Sequence, residues 1–297
     1  MRANPFGLPG RWLTVGIHVH TTESDGRATP AEAMQAYRRS GYDCLVFGDH
    51  EHVTVPADAP EGMLILPGAE WAARFPDEPA GMHFMAVGMR HGAAGRLAGL
   101  KDDPYAMAEA LSGLCDYLVL AHPYWSALTT GLIARLPAAA ALEVYNHGCE
   151  LEDALGSAAY VWDQLLARGG RWDGIAVDDA HWRIEDACTA RVMVKAEEPT
   201  REAVTEALQG GLFYSTTGPE ILDLELPGPR QVAVTTSPAA SILFRCNGSP
   251  GSGLHAAGGG ALTQAEHALP DRARFVRVEV TDAAGRKAWT NPFYLDG

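Results

Sequence analysis

Short apolar runs and helical patterns alternate along the first two thirds of the chain. The runs fall at 13–17 (Leu-Thr-Val-Gly-Ile), 44–47, 63–66, 84–87, 117–120, 142–145, 174–177 and 192–194, and each has the length and residue types of a buried strand. Between them, four segments read as helices. The first, 30–40, has Thr29 as its cap, Glu32 in the first turn and Gly41 just past its end. The others are 104–114, 150–168 closing on Gly169-Gly170, and 200–209 closing on Gly210-Gly211. About eight strands alternating with helices over roughly 215 residues suit a closed or nearly closed α/β barrel, with an open parallel sheet as the other solution.

After Gly218-Pro219 the pattern changes to strands alone, at 221–226, 231–236, 241–246, 261–269, 274–281 and 288–295. Turn residues at 227–229, 248–251 and 282–285 separate them. Residues 274–280 (Arg-Phe-Val-Arg-Val-Glu-Val) alternate polar and apolar, as expected of a strand with one face in water. The tail therefore reads as a small antiparallel β-sandwich, giving two expected domains, 1–218 and 219–297.

Composition narrows the function. A chain of 297 residues, 47% hydrophobic, can bury a sizeable core. Its formal net charge of −14 repels phosphate backbones, so nucleic-acid partners are not expected. No apolar run reaches the roughly 18 residues of a membrane span, and the first residues lack the basic-then-apolar layout of an export signal. Five scattered cysteines show no close pair and suggest neither a disulfide framework nor a thiolate metal clip. A cytoplasmic location fits these features best.

The histidines carry the chemistry. His18 and His20 leave the first run as His-Val-His, and the two-residue period of a strand points both rings to one face. His50 closes the second run, Glu70 follows the third, His83 opens the fourth, His122 closes the fifth, and Asp179 with His181 follows the seventh; Asp25 lies in the loop after the first. Strand carboxyl ends share one face of a β/α barrel, so these six imidazoles and three carboxylates are expected to converge. Nitrogen and oxygen donors without thiolate suit zinc, manganese or iron, and nine side chains exceed what one ion uses. An isolated histidine is more often a surface or hydrogen-bonded core residue, and Asp25 alone would suit an Asx turn before Gly26. It is the ordered series that argues for metal.

Several other residues border the same face. His147, Asn146 and Arg183 are candidates for substrate contact, against the plainer readings of a solvated loop histidine, a turn residue and a surface charge. Glu143 and Asn146 end the sixth strand and are placed to order the site through hydrogen bonds. Trp71, Trp125 and Trp182 follow candidate ligands closely and would wall a pocket or simply fill a core. Asp178 points away from its neighbour Asp179 in extended chain, which favours a structural role.

The segments Gly16-Ile17-His18-Val19-His20-Thr21, Ser24-Asp25-Gly26, Pro30, Gly41-Tyr42-Asp43, Gly48-Asp49-His50, Gly68-Ala69-Glu70, His83, Ala121-His122-Pro123 and Asp179-Ala180-His181 together resemble the polymerase and histidinol phosphatase (PHP) superfamily. The resemblance covers residues 12–218. Residues 162–166, 177–181 and 211–219 are similar in particular to its carbaryl-hydrolase-like branch of metallohydrolases. The resemblance implies a distorted (β/α)7 TIM-like barrel with two to three divalent ions. A first ion would take His18, His20, Glu70 and Asp179; a second Glu70, His83 and His122, with Glu70 bridging. A third would take Asp25, His50 and His181, Asp25 standing where some relatives use histidine.

Two divalent ions about 3.5–4 Å apart share and acidify a water for in-line attack. Three ions, offset by three carboxylates and a hydroxide, leave about +2 locally, which attracts a small anionic substrate. The expectation is a metal-dependent hydrolase, foremost a phosphoesterase on a small soluble ester. A carbamate, amide or ester hydrolase using the same centre is the alternative within the class. A non-catalytic metal-holding or sensing protein is the alternative outside it, against which the complete ligand set argues.

Overall fold

The computed structural model describes residues 3–295 apart from 78, 91, 93, 138 and 248–251, so the turn expected at 248–251 and His91 lie outside the described residues. Ten strands run through the first part: β1 (Arg11–Ile17), β2 (Cys44–Val46), β3 (Leu64–Leu66), β4 (Gly68–Arg74), β5 (Gly81–Val87), β6 (Tyr117–Leu120), β7 (Ala141–Asn146), β8 (Asp173–Val177), β9 (Arg191–Ala196) and β10 (Phe213–Thr216). The helices are α1 (Pro30–Arg39), α2 (Ala94–Leu97), α3 (Pro104–Ser112), α4 (Thr130–Ile133), α5 (His147–Asp153), α6 (Ala159–Ala167) and α7 (Arg201–Gly210). Alternate residues of the strands face two layers. On β5, Met85 and Val87 join Val15, Ile17, Val119, Ile175 and Val177 in an inner cluster. Phe84 and Ala86 join Met107 and Leu111 of α3 and Trp162 and Leu165 of α6 outside. Thr29 caps α1 with a reciprocal Glu32 bond, as its sequence suggested.

The strands do not make one ring of parallel neighbours. β1–β2–β3 and β6–β7–β8 are parallel, but β4–β5–β6 and β1–β9–β10 are antiparallel, and they divide into two sheets. The fold is mixed α/β, with many strands and few helices. Connection length accounts for the β4–β5 pair, whose strands are separated only by residues 75–80. Parallel neighbours need a crossover of about a dozen residues or more. Two isolated bridges tie the sheets, His50 just past β2 to Glu70 within β4, and Val19 past β1 to Ala180 past β8.

The helix expected over 150–168 is two. α5 ends at Ala154 in the left-handed conformation (φ 58°), and residues 155–158 return along β7, with the Asn146 N–H donating to the Gly156 carbonyl at 3.0 Å. A side chain at 156 would stand 2.2 Å from the Asn146 oxygen, so glycine is needed for that close approach.

The tail contains β11 (Ile221–Gly228), β12 (Gln231–Ala239), β13 (Ser241–Arg245), β14 (Ser252–His255), β15 (Leu262–Ala268), β16 (Phe275–Thr281), β17 (Lys287–Thr290) and β18 (Phe293–Tyr294). β11–β12–β15 is one antiparallel sheet, and β14–β13–β16–β17 continues through β10 into β9 and β1. The two layers share a core of Ile221, Val234, Ile242, Phe244, Val278 and Val280. β16 corrects the expectation of a wet face, because both of its faces are buried. Arg277 bonds Asp163 of α6 at 2.6 and 2.9 Å and lies 4.5 Å over the Trp162 ring. Among the described residues, no helix is long and apolar enough to cross a membrane.

Candidate metal centre

The nine side chains marked in the sequence come together, most of them at or beyond the carboxyl ends of strands, with Glu70 and His83 instead the third residues of β4 and β5. Glu70, on β4, lies at the centre. Its Oε1 is 3.0 Å from both His83 Nδ1 and His122 Nε2. Its Oε2 is 3.0 Å from His50 Nδ1, 3.5 Å from His18 Nε2 and 3.6 Å from His20 Nε2. Asp179 Oδ1 completes that side, 3.3 Å from His18 Nε2 and 3.1 Å from His20 Nε2. Asp25 Oδ1 faces His20 Nδ1, His50 Nε2 and His181 Nε2 at 3.6, 3.6 and 3.4 Å.

Three groups have one donor atom per residue within 4.8 Å of the others: His18, His20 and Glu70; Glu70, His83 and His122; and His20, Asp25, His50 and His181. Any of them could hold a divalent ion. The sharpest sign is chemical. His18 Nε2, His20 Nε2 and Asp179 Oδ1 are buried without a hydrogen bond despite facing one another, and buried donors and acceptors are rarely left so. A cation between them satisfies all three, so the donor set fits a metal.

Surrounding groups hold the rings in the orientation this requires. Glu143 Oε1 accepts from His18 Nδ1 at 2.6 Å, and its Oε2 accepts from the His122 backbone N–H and from Asn146 Nδ2. The Asp179 carbonyl can only accept, so His181 Nδ1, 2.9 Å away, carries a proton and leaves Nε2 free to face Asp25. Burial works against the charge on Glu70, but the nearby His18 and bonds from His122 and His50 hold its carboxyl well below the usual range. Burial opposes Asp179 too, and His18 and His20 depress it strongly.

Sequence reasoning missed Asp49 as a support. Its buried carboxylate accepts from the Thr21 N–H and hydroxyl, from Ser24 Oγ at 2.8 Å and from Thr54 Oγ1. It thereby fastens the loop presenting Asp25; its place between Gly48 and His50 was the available signal. Asp178 instead accepts from Tyr37 Oη and the backbone of Thr189 and Ala190, a structural role, and burial raises it to about 7.

A cleft of about 200 Å³ opens on the cluster, lined also by Trp125, Gly148, Cys149, Glu152 and Arg183. Arg183 Nη2 reaches Asp25 Oδ2 at 3.1 Å. The other two expected substrate contacts lie elsewhere. Asn146 is fully buried behind the ligands, donating to Glu143 and Asp179 and capping α5 through Cys149 N–H. His147 bonds the Tyr145 hydroxyl at 3.1 Å and is not among the residues lining the cleft. Of the three tryptophans, Trp71 packs in the outer core, Trp182 donates to the His20 carbonyl, and Trp125 alone walls the cleft.

No protein-family model matches the chain, and no curated protein matches it. Among solved structures, a two-domain protein from Bacteroides vulgatus containing a predicted PHP-like metal-dependent phosphoesterase is similar at 14% identity and a TM-score of 0.52, over 95% of both chains. An amidohydrolase from Chromobacterium violaceum, with bound sulfate and no metal, matches at 17% identity and a TM-score of 0.44, over 58% of this chain and 89% of its own. The first likeness is one of fold, and it extends through the tail.

Proposed function

We propose that the chain is a metal-dependent hydrolase of the PHP superfamily acting on a small anionic ester, foremost a phosphate ester. The observation that carries this reading is the buried trio of His18 Nε2, His20 Nε2 and Asp179 Oδ1, each without a hydrogen bond, set against a Glu70 shared by the neighbouring imidazoles. The grouping of donors supports a first ion on His18, His20, Glu70 and Asp179, a second on Glu70, His83 and His122, and a third on Asp25, His50 and His181.

Bound divalent ions would supply an acidified water and positive charge against the anionic transition state. The chain does the positioning. Glu143 and the Asp179 carbonyl fix the tautomers of His18 and His181. Arg183 at the cleft wall offers donors suited to a phosphoryl oxygen. The small cleft admits the reacting group and little more. In the net reaction, water oxygen bonds phosphorus, the ester P–O bond breaks, and the alcohol leaves with a proton.

The test is turnover of p-nitrophenyl phosphate against p-nitrophenyl acetate and carbamates by metal-loaded protein. Phosphate-ester turnover that falls more than about 100-fold in Glu70→Gln and Asp179→Asn is expected. Turnover of only the acetate or carbamate would replace the substrate class. Undiminished turnover in both variants would overturn the site, and none on any ester by metal-bearing protein would favour a sensing role.

A further inference from the structure

The cleft, at about 200 Å³, is smaller than the roughly 300–1,000 Å³ of pockets that take drug-sized ligands. A substrate with more than a small leaving group extends beyond it. A second groove of about 480 Å³ adjoins the cleft and shares His83 and Trp125 with it. Its other walls are Pro79, Ala80, Gly81, Ser126, Ala127, Thr129 and Leu132. Apart from His83, none of these residues carries an ionisable side chain.

Each of the two hydroxyls in that groove already makes one bond to the protein. Ser126 Oγ bonds His122 Nδ1 at 3.0 Å, and Thr129 Oγ1 accepts from the Leu132 N–H as the cap of α4. Between the chambers stands Trp125, 44% exposed. Its indole N–H is fastened to Asp153 at 3.0 Å, and its ring lies edge-on to His122 with centroids 5.0 Å apart. A fixed aromatic wall between a charged cleft and a groove whose described lining carries no ionisable side chain but His83 offers stacking and apolar contact, with little to pair a charge or a run of hydroxyls.

Resting on the hydrolase reading above, we propose that the groove holds the leaving-group portion of the substrate, and that this portion is neutral and apolar, an aryl or long alkyl alcohol rather than a sugar or nucleoside. The phosphoryl head sits in the cleft and the ester oxygen passes Trp125. Preference then follows from what the groove desolvates.

The test compares 4-biphenylyl phosphate, methyl phosphate and glucose 6-phosphate on metal-loaded protein, with Ala127→Asp and Ala127→Asn. Ala127 has φ 53°, a conformation that Asp and Asn tolerate. The biphenylyl ester should have the highest kcat/KM. Its advantage over methyl phosphate should drop about tenfold in the Asp variant and hold in the Asn variant, since only the former places a charge against the ring. Calorimetric binding of 4-phenylphenol, weakened in the Asp variant alone, reads the groove without turnover. A ratio unmoved by Asp, or preference for glucose 6-phosphate, overturns the groove assignment while leaving hydrolysis standing. Binding of the phenol with no turnover of any phosphate ester supports the groove and defeats the phosphoesterase reading instead.

Discussion

Three of the nine converging residues, His18 (φ 70°), His122 (φ 24°) and Asp179 (φ 51°), have backbone in the positive-φ region. Each such departure costs on the order of 1–3 kcal/mol and persists only where its surroundings fix it. The fixing contacts are specific: the Asp179 N–H donates to the His18 carbonyl at 2.9 Å, and the His122 N–H donates to Glu143. Glu143 therefore does two things, orienting His18 and pinning the backbone of His122. All three of its partners are donors, from His18, His122 and Asn146, so an amide in its place must turn an N–H toward one of them. Glu143→Gln is expected to weaken metal binding about 10–100-fold, measured by competition with a chromophoric chelator. Unchanged affinity would show that the carboxylate orients nothing.

Elements show where the sequence was legible. Apart from Asp25, which lies in the loop after the first run, the donors could be read because they sit at or beside the end of an apolar run, and a run's end is marked by the glycine, proline or histidine that breaks it. β4 could not: residues 68–74 are Gly-Ala-Glu-Trp-Ala-Ala-Arg, weak strand formers, and they become a strand through pairing with β5. Glu70 accordingly lies within a strand rather than after one. The break between α5 and α6 was hidden for the opposite reason, because residues around Gly156 are good helix formers and the close approach to β7 is tertiary. Two glycines separate the effects. Gly156→Ala should destabilise by about 1–3 kcal/mol, since the methyl meets the Asn146 carbonyl. Gly113→Ala, at φ −81° with its nearest neighbour at 3.6 Å, should be neutral or stabilise by up to about 1 kcal/mol. Urea unfolding of the two variants checks the contrast, and equal effects would mean that close packing at 156 is not what shapes the connection.

At the scale of the molecule, the tail is bound to the first part by backbone and by charge: β17 pairs with β10, and fully buried Arg277 reaches Asp163 of α6 and Glu279 of its own strand. Breaking a wholly buried pair costs about 3–5 kcal/mol; here Asp163 is 30% exposed and can rehydrate, so Arg277→Met should cost less, about 2–3 kcal/mol. That cost should depend on pH. Burial pushes the Glu279 carboxyl up, but Arg277, Lys287 and Arg245 together hold it below its ordinary 4.5. A carboxyl depressed by folding contributes stability in full above its unfolded pKa and loses it as pH falls through the folded value. The variant, with Arg277 gone, has less of this contribution to lose. The stability gap between wild type and Arg277→Met should therefore be constant from pH 8 to about 5 and shrink below about 4.5. Comparing the two proteins at each pH in the same metal-loading state cancels the titration of the distant histidine cluster. Urea midpoints at pH 7 and pH 3.5 decide it: a gap that stays fixed across that interval would mean that Arg277 acts by packing over Trp162 alone, and not through its charge.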